Sequence, residues 1–382
     1  MMSVDYAPVM RAVDEIKDID SGIKVVVGGP HPSLAPDEVT ANKKIDFVVE
    51  GEGEISFCGL LRDLSSGKTP ARVVKGAHPD LDSLPFADRD IFNAGEMPID
   101  HFLMIPFVTI IAGRGCVYNC SFCQPAERII FGPKVRRRSV GNVIEELRLL
   151  RDKIRFQSMM MHDDCLTEEK PWVMEFCDKY RKNGFRQPFV CQSRADIICK
   201  NEDMVKRLAK AGLAMFLIGF ESGNQRILNL LSKGTKVEQN FEAARICNKY
   251  GIIVWANYML GIPTETNEEA LDTLKMIKKI KPYRASPAFF TPHPGSDLYT
   301  MCVEKGLSLI KDHKDYSRSP DSPKVSGVDY VFLKTVLEES KKIPASVRIK
   351  RKWDHMRERK IKKHLGKYLN FLSPNSRLRT PN

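Results

Sequence analysis

The chain has 382 residues, of which 42% are hydrophobic and 28% charged, and its formal net charge is +12. This length supports two or three domains with a buried core, so disulfide bonds are not needed for folding. No apolar run reaches the ~20 residues that span a bilayer, and the start lacks the basic-then-apolar pattern of a secretory signal. We therefore expect a cytoplasmic protein without a transmembrane segment.

Residues 1–75 contain strands and helices that alternate at short intervals. In order, we predict the strand IKVVVGG, the turn PHPSLAP, the helix PDEVTANK, the strand IDFVVEGEGE and the helix ISFCGLLRDL. This alternation is typical of a parallel, doubly wound α/β layer. Because only about two strands are present, we expect a partial Rossmann-like domain.

Residues 76–106 are rich in Pro, Asp and Gly without periodicity, and we interpret them as a linker. Residues 107–300 then repeat a strand–helix unit. The predicted strands are FVTIIAG, QSMMMHDD, PFVCQSRAD, AMFLIGFES, IIVWANYMLG and ASPAFFTP. Six consecutive βα units predict a partial (β/α)6 TIM-like barrel. In such barrels the chemistry takes place at the C-terminal ends of the strands.

Two basic runs carry much of the positive charge: KVRRRS at 134–139 and RIKRKWDHMRERKIKKHLGK near the C-terminus. Such runs bind nucleic acid or acidic membranes, or form solvated helices with salt-bridged faces. No RNA-binding signature or zinc-finger pattern accompanies them, so we expect no nucleic-acid partner. We predict a helical, basic C-terminal region over 301–382, with two helices over 327–367.

Ten cysteines in a reducing compartment argue against a disulfide framework. Seven of them stand singly, and we interpret them as small buried hydrophobic side chains: Cys58, Cys165, Cys177, Cys191, Cys199, Cys247 and Cys302. The other three, Cys116, Cys120 and Cys123, follow the first barrel strand with the spacing C-x3-C-x2-C. Three thiolates can bind one face of an iron–sulfur cluster and leave one iron open. The alternative is a structural zinc site completed by a distant histidine.

The segment CVYNCSFC, including Phe122 before the last cysteine, resembles the signature of the radical S-adenosylmethionine (SAM) enzymes. The resemblance covers residues 107–300. It implies a [4Fe-4S] cluster on the three cysteines, with the amino and carboxylate groups of SAM on the fourth iron and Phe122 beside the cofactor. It also implies reductive cleavage of SAM to a 5′-deoxyadenosyl radical, a reductant such as flavodoxin or ferredoxin, and a small organic substrate.

The strand ends supply polar groups that fit the parts of SAM. Asp163 or Asp164 can accept from its amino group, Arg194 suits its carboxylate, and Glu221 suits its ribose diol. Each residue has a simpler interpretation. The acidic pair can cap the next helix, and Arg194 can form a structural ion pair.

The fifth strand end, YMLGIPTET, resembles the family's glycine-containing motif, which implies that Gly261 and Ile262 approach the adenine. The alternative is that Gly261 and the following proline form only a turn. The segment TPHPGSDLY after the sixth strand resembles the family's closing TPxPGT motif.

The segment VVVGGPHPSLAPDEV followed by IDFVVEGEGE resembles the second half of a cobalamin (B12)-binding domain. The corresponding radical SAM subclass includes methyltransferases and the anaerobic magnesium-protoporphyrin ester cyclase. Since no Asp-x-His-x-x-Gly loop occurs, we expect an N-terminally truncated chain that holds cobalamin poorly. The resemblance implies methyl transfer or oxidative cyclisation. The alternative is a non-catalytic iron–sulfur electron-transfer or binding protein with a basic docking tail.

Overall fold

The computed structural model describes residues 1–90, 106–123, 126–316 and 322–342. Its strands are β1 (Val26–Gly28), β2 (Phe47–Glu50), β3 (Val73–Lys75), β4 (Phe107–Ile110), β5 (Gly113–Arg114), β6 (Arg136–Arg137), β7 (Ser158–Met161), β8 (Phe189–Ser193), β9 (Leu213–Glu221), β10 (Ile253–Leu260) and β11 (Arg284–Phe289).

The helices in these ranges are α1 (Tyr6–Ile19), α2 (Pro30–Leu34), α3 (Pro36–Ala41), α4 (Gly53–Ser65), α5 (Ala126–Phe131), α6 (Val140–Ile154), α7 (Lys170–Lys182), α8 (Ala195–Lys200), α9 (Glu202–Ala211), α10 (Gln225–Leu230), α11 (Val237–Lys249), α12 (Asn267–Ile280), α13 (Asp297–Glu304) and α14 (Tyr330–Lys341). Short 3-10 helices lie at Ser3–Asp5, Leu166–Glu168 and His313–Tyr316. Each described helix is too short or too polar to cross a lipid bilayer.

Six strands form one parallel sheet in the order β4-β7-β8-β9-β10-β11, which is also their order along the chain. At least one helix lies between each pair of neighbouring strands, as parallel pairing requires. All six predicted barrel strands are present, and the predicted partial (β/α)6 barrel is confirmed. The C-terminal ends of the six strands consequently lie at one edge of the sheet.

The barrel sheet is held in place by a continuous apolar core. In β10 every second side chain, from Val254 to Leu260, is buried in this core. The rings of Phe176, Tyr180 and Phe189 lie 5.4 to 5.7 Å apart between their centroids and join α7 to β8. Aromatic contacts of this kind add to the free energy of simple apolar burial. The strand ends therefore project from a rigid support.

The N-terminal unit, which precedes the linker, has its own parallel sheet in the order β1-β2-β3. The expectation of about two strands was wrong, because β3 has only three residues and shows no readable alternation. The turn predicted over residues 30–36 was also wrong. Pro30 stands at the start of α2, where the fixed φ of proline favours a helix. Helix α1 adds to the predicted elements and packs Val13 into the same apolar cluster as Val25.

A buried carboxylate joins the N-terminal unit to the barrel. Glu52, which follows β2, accepts a hydrogen bond from Arg114 at 2.5 Å and another from Arg136. Its side chain is 1% exposed, whereas the two arginines are about a quarter exposed. A buried charge requires such partners, because leaving it unpaired costs several kcal/mol. The pairing therefore fixes the N-terminal unit beside the loop that carries the cysteines.

The three arginines of the basic run at 134–139 are partly buried and pair with carboxylates, so they form neither a solvated helix nor a free basic surface, whereas Lys134 is exposed. Besides Arg136, Arg137 donates to Asp163 at 3.1 Å and Arg138 donates to Glu146 at 2.6 Å. Both of these acidic side chains are buried. The positive charge of these arginines is used to neutralise carboxylates within the fold.

Some expectations fall partly or wholly outside the described residues. Of the linker, residues 76–90 carry no helix or strand, and 91–105 are not described. Helix α14 is one of the two helices expected over 327–367, and the basic run near the C-terminus lies beyond residue 342.

The structure tests the interpretation of the seven single cysteines as buried side chains. Five of them are buried, Cys199 is partly exposed and Cys58 is exposed. The expectation for Cys58 was wrong. Helix α4 buries Ser56 and Leu60, which are four residues apart, and Cys58 lies between them on the opposite face.

Candidate active site

The cysteine loop, residues 115–123, follows β5, a short strand after β4 that pairs with β6, and is fixed by backbone contacts. Gly115 has φ +94°, a conformation that favours glycine. The Ser121 hydroxyl donates to the carbonyl of Leu230 at 2.7 Å, and its N–H donates to the carbonyl of Leu231 at 3.0 Å. The Ser121 carbonyl accepts from the N–H of Leu298 at 2.9 Å. These bonds tie the loop to the segments after β9 and β11.

The three thiols of the loop differ in exposure. Cys116 and Cys120 are partly buried, and Cys123 is exposed. Burial raises the pKa of the Cys116 thiol, and the nearby Asp164 carboxylate raises it further, whereas Arg194 lowers it. A metal ion would reverse this balance, since a coordinating thiol is deprotonated outright. The loop therefore offers three sulfur ligands at the open edge of the sheet.

Arg194 connects the cysteine loop to the ends of β8 and β9. Its Nη1 lies 3.7 Å from the Cys120 sulfur, and its guanidinium carbon lies 3.5 Å from the centroid of the Tyr118 ring. Its Nη2 donates to the Lys233 carbonyl at 2.5 Å, and its Nε donates to Asp196 at 3.1 Å. The ion pair with Asp196 agrees with the simpler interpretation, in which Arg194 forms a structural ion pair. The contact with Cys120 also places its charge at the candidate cluster.

Glu221 and Lys233 form a buried ion pair at the end of β9. Lys233 Nζ donates to Glu221 Oε1 at 2.9 Å, and both side chains are about one-tenth exposed. The same Nζ lies 5.8 Å from the ring centroid of Phe122, within the range of a cation–π contact. Glu221 has φ +62°, which is rare for a residue other than glycine. Backbone strain of this kind is concentrated at functional sites.

The two adjacent aspartates after β7 have different surroundings. Asp163 is buried. It accepts hydrogen bonds from the N–H of Ala112 at 3.0 Å and from Arg137 at 3.1 Å. Burial raises the pKa of the Asp163 carboxyl, and these two donors oppose the rise. Asp164 is exposed, and its charge acts on Cys116. The contacts therefore assign Asp163 to the support of the loop and leave Asp164 nearer to the thiols.

The end of β10 is more enclosed than the resemblance implies. Gly261 has φ +72°, and a side chain there would contact Leu333 and Tyr330 of α14 at 3.4 to 3.5 Å. Ile262 is fully buried in an apolar cluster against which Phe122 packs. As placed, Gly261 forms a turn next to α14, and Ile262 supports the aromatic ring of the cysteine loop.

Two protein-family profiles match parts of this chain. The radical SAM superfamily profile matches residues 110–277, which contain the three cysteines and four of the strand ends described above. The B12 binding domain profile matches residues 1–61. The chain contains a radical SAM domain and a B12-binding domain. Radical SAM domains imply a [4Fe-4S] cluster and SAM, and a loop with three clustered thiols fits that requirement.

The relatives of this chain are named as enzymes of more than one kind. An uncharacterized methyltransferase of Pyrococcus horikoshii is 29% identical over 320 residues, covering 79% of this chain and 68% of that protein. The anaerobic magnesium-protoporphyrin IX monomethyl ester cyclase of Rubrivivax gelatinosus is 27% identical over 316 residues, covering 77% of this chain and 56% of the cyclase. The chain thus spans between half and about two thirds of these relatives.

A solved structure shows the same fold. TsrM from Kitasatospora setae, with cobalamin and a [4Fe-4S] cluster bound, aligns with a TM-score of 0.64 at 17% identity. The alignment covers 79% of this chain and 63% of TsrM. At this identity the likeness concerns the fold alone.

The radical SAM domain contains site residues that the sequence pattern did not indicate. Lys233 lies in a loop twelve residues after Glu221. The residues on either side of it, Ser232 and Gly234, both have positive φ angles. Ser232 has φ +48° and Gly234 has φ +68°. Tyr118 lies within the cysteine motif, and the motif does not indicate that its ring contacts Arg194.

Glu265 is a buried carboxyl beside Gly261 in the radical SAM domain. Its Oε2 accepts from the N–H of Gly261 at 2.6 Å, while its Oε1 makes no hydrogen bond within the described residues. Burial raises the pKa of Glu265 to about 7, although the N–H groups of Gly261 and Ile262 lower it. The folded protein therefore retains a proton there that the unfolded chain loses near its usual pKa.

This difference predicts a pH-dependent contribution to stability. The contribution is present below about pH 4.5, is lost as the pH rises to about 7, and amounts to roughly 3 kcal/mol. Glu265→Gln should remove it. Urea unfolding at several pH values measures the free energy of unfolding. Between about pH 4.5 and 7 this free energy should fall by that amount in wild type relative to Glu265→Gln. Glu268→Gln is the matched control, because it removes an exposed carboxylate from the first turn of α12 and leaves Glu265 and its backbone contacts in place. Parallel curves for wild type and Glu265→Gln would contradict the prediction.

Proposed function

We propose that this chain is a radical SAM enzyme that reductively cleaves SAM at a [4Fe-4S] cluster held by Cys116, Cys120 and Cys123. The observation that carries the proposal is a single loop at the C-terminal edge of the parallel sheet. That loop presents three thiols, and the Arg194 guanidinium lies 3.7 Å from one of them. A reduced cluster supplies the electron that breaks a C–S bond of SAM. The products are methionine and a 5′-deoxyadenosyl radical.

The residues of the chain would bind and orient SAM. We propose that Arg194 pairs with its carboxylate and that exposed Asp164 accepts from its amino group. Glu221 would accept from the ribose diol through the oxygen that does not hold Lys233. Gly261, Ile262 and Asp163 are proposed to act indirectly, by shaping the strand ends that carry these groups.

The proposed division of the chain follows the sequence boundaries. Residues 107–300 would form the catalytic barrel, 76–106 a linker and 301–382 a basic helical region. The relatives and the B12 binding match support methyl transfer or oxidative cyclisation on a small organic substrate.

We also propose a reducing compartment, the cytoplasm, and a reductant such as flavodoxin or ferredoxin. None of the ten cysteines, all of which lie within the described residues, forms a disulfide bond, which suits a compartment that keeps thiols reduced. The exposure of Cys123 would let an electron donor approach the cluster from solvent.

For residues 1–75 we propose an incomplete corrin site. A cleft of about 510 Å³ lies at the ends of β1 and β2, lined by apolar side chains, Glu54, Cys58 and the glycines Gly28, Gly29, Gly51 and Gly53. The glycines keep the cleft open. Within the described residues no histidine lines it, so it supplies no imidazole ligand to cobalt. We therefore expect weak retention of cobalamin.

The test of the central proposal is an assay for 5′-deoxyadenosine. Protein reconstituted anaerobically with iron and sulfide is mixed with dithionite and SAM. We expect wild type and Cys247→Ala, which removes a buried thiol of α11, to form the product. Cys123→Ala should not, because the cluster loses one of three ligands. Wild type that forms no product above the background of Cys123→Ala would leave only the non-catalytic alternative.

Arg194→Ala should weaken SAM binding roughly ten- to hundredfold, since a hydrogen bond to a charged group is worth about 1.5–3 kcal/mol. Equilibrium dialysis with labelled SAM measures the affinity, and visible absorbance measures the cluster. Arg207→Ala is the control, because that arginine is half exposed and pairs with Asp178 on the outer helices. Unchanged SAM affinity with an intact cluster would reassign Arg194 to structure alone.

Hydroxocobalamin titration followed by gel filtration tests the N-terminal unit. We expect less than stoichiometric corrin to remain with the protein, because the cleft lacks a histidine ligand. A Gly53→Leu variant, which adds a side chain at a cleft-lining residue in the first turn of α4, should reduce any residual binding. Stoichiometric retention by wild type would show that the unit builds a complete site.

A further inference from the structure

A second group of ligand-type side chains lies where the N-terminal unit meets the segment that follows the barrel. The His31 site comprises His31 of α2, Glu38 of α3 and His313 of the short 3-10 helix His313–Tyr316. One ligand atom from each residue lies within 4.8 Å of the other two. The site shares no residue with the cysteine loop, so it is independent of the proposed function.

The separations within the His31 site are close to those of a metal centre. His313 Nε2 lies 2.8 Å from Glu38 Oε1, and His31 Nε2 lies 3.4 Å from Glu38 Oε2. Ligand atoms around tetrahedral zinc lie about 3.3–3.5 Å apart, given metal–ligand distances of about 2.0–2.2 Å. Glu38 is exposed, and its side chain can adjust by the small amount required.

The ring of His31 is the decisive feature, because it is 1% exposed and one nitrogen lacks a hydrogen bond. Its Nδ1 lies 3.1 Å from the Ser3 hydroxyl, and its Nε2 has no hydrogen-bond partner among the described residues. Buried ring nitrogens are normally paired. When Nδ1–H donates to Ser3, Nε2 keeps a free lone pair, and this nitrogen lies 3.4 Å from Glu38 Oε2 and within 4.8 Å of the ligand atom of His313. Histidines that bind metals are oriented in this way by a bond from the other nitrogen.

Aromatic contacts hold both rings in place. Tyr6 stacks on His313 with centroids 3.9 Å apart and planes at 12°. The same Tyr6 ring meets His31 edge-on at 5.4 Å. The two histidines come from distant parts of the chain, and one aromatic side chain of α1 fixes both. The site is therefore built into the contact between the N-terminal unit and the segment after the barrel.

We propose that His31, Glu38 and His313 bind a divalent transition-metal ion, Zn²⁺ in the first place, with water in the fourth position. Two imidazoles and one carboxylate suit zinc, whereas magnesium and calcium prefer sites built from oxygen. The ion links two elements of the N-terminal unit to the segment after the barrel. It therefore acts as a clamp between them, and the partial exposure of His313 provides access for the ion and the water.

The test uses the full chain with its iron–sulfur cluster reconstituted, equilibrated with Zn²⁺ alone and then desalted. Elemental analysis counts zinc per chain, and zinc K-edge X-ray absorption identifies the ligands. We expect one equivalent with a nitrogen and oxygen shell at about 2.0–2.1 Å and imidazole scattering, and no sulfur at about 2.3 Å.

Variants of the two accessible ligands keep the test independent of folding defects at buried His31. Glu38→Gln and His313→Gln should each lower zinc affinity roughly a hundredfold or more, since even outer-shell partners contribute ten- to hundredfold. Asp37→Asn removes the adjacent exposed carboxylate of α3 and should bind zinc as wild type does. Zinc bound through sulfur, no stoichiometric zinc, or equal affinity in wild type and Glu38→Gln would each overturn the proposal.

Discussion

The parallel pairing of six strands in chain order is the constraint on which the site depends. Because each strand runs in the same direction, every loop that follows a strand emerges at one edge of the sheet. Cys116 follows the first strand, Arg194 follows the third and Glu221 ends the fourth. These residues are far apart in the chain and become neighbours only through this pairing. The apolar core beneath the sheet then holds their backbones in fixed positions.

Electrostatic pairing completes what the sheet begins. The buried carboxylate of Glu52 ties the N-terminal unit to Arg114 and Arg136, next to the cysteine loop. At the site itself, Arg194 and Lys233 bring positive charge toward Cys120 and Phe122. Three thiolates and an added electron would concentrate negative charge at this edge. Two nearby cations, one held by Glu221 and one stacked on Tyr118, reduce the electrostatic cost of that charge.

The sequence was sufficient to predict the barrel and to identify the three cysteines as candidate ligands, because both inferences depend on local patterns. Strands alternating with amphipathic helices are visible within windows of about fifteen residues, and C-x3-C-x2-C is a contiguous spacing. The N-terminal unit was harder to predict, since β3 is three residues long and α2 begins with proline in a segment that resembles a turn.

Pairing between distant residues could not be predicted in this way. Asp163 and Asp164 are adjacent and chemically identical, and the contacts with Ala112 and Arg137 distinguish the buried Asp163. Likewise the pairing of the arginines in the basic run depends on carboxylates elsewhere in the chain. His31 lies in a segment that resembles a turn, and nothing local indicates that His313 lies beside it.

The most direct measurement of the central claim is electron paramagnetic resonance of the dithionite-reduced cluster, with and without SAM. Magnetic isotopes placed in the amino and carboxylate groups of SAM show, through hyperfine coupling, whether these groups bind iron directly. The account predicts a [4Fe-4S] signal that changes on adding SAM and shows hyperfine coupling to both labelled groups. A reduced cluster whose signal is unaffected by saturating SAM would contradict it.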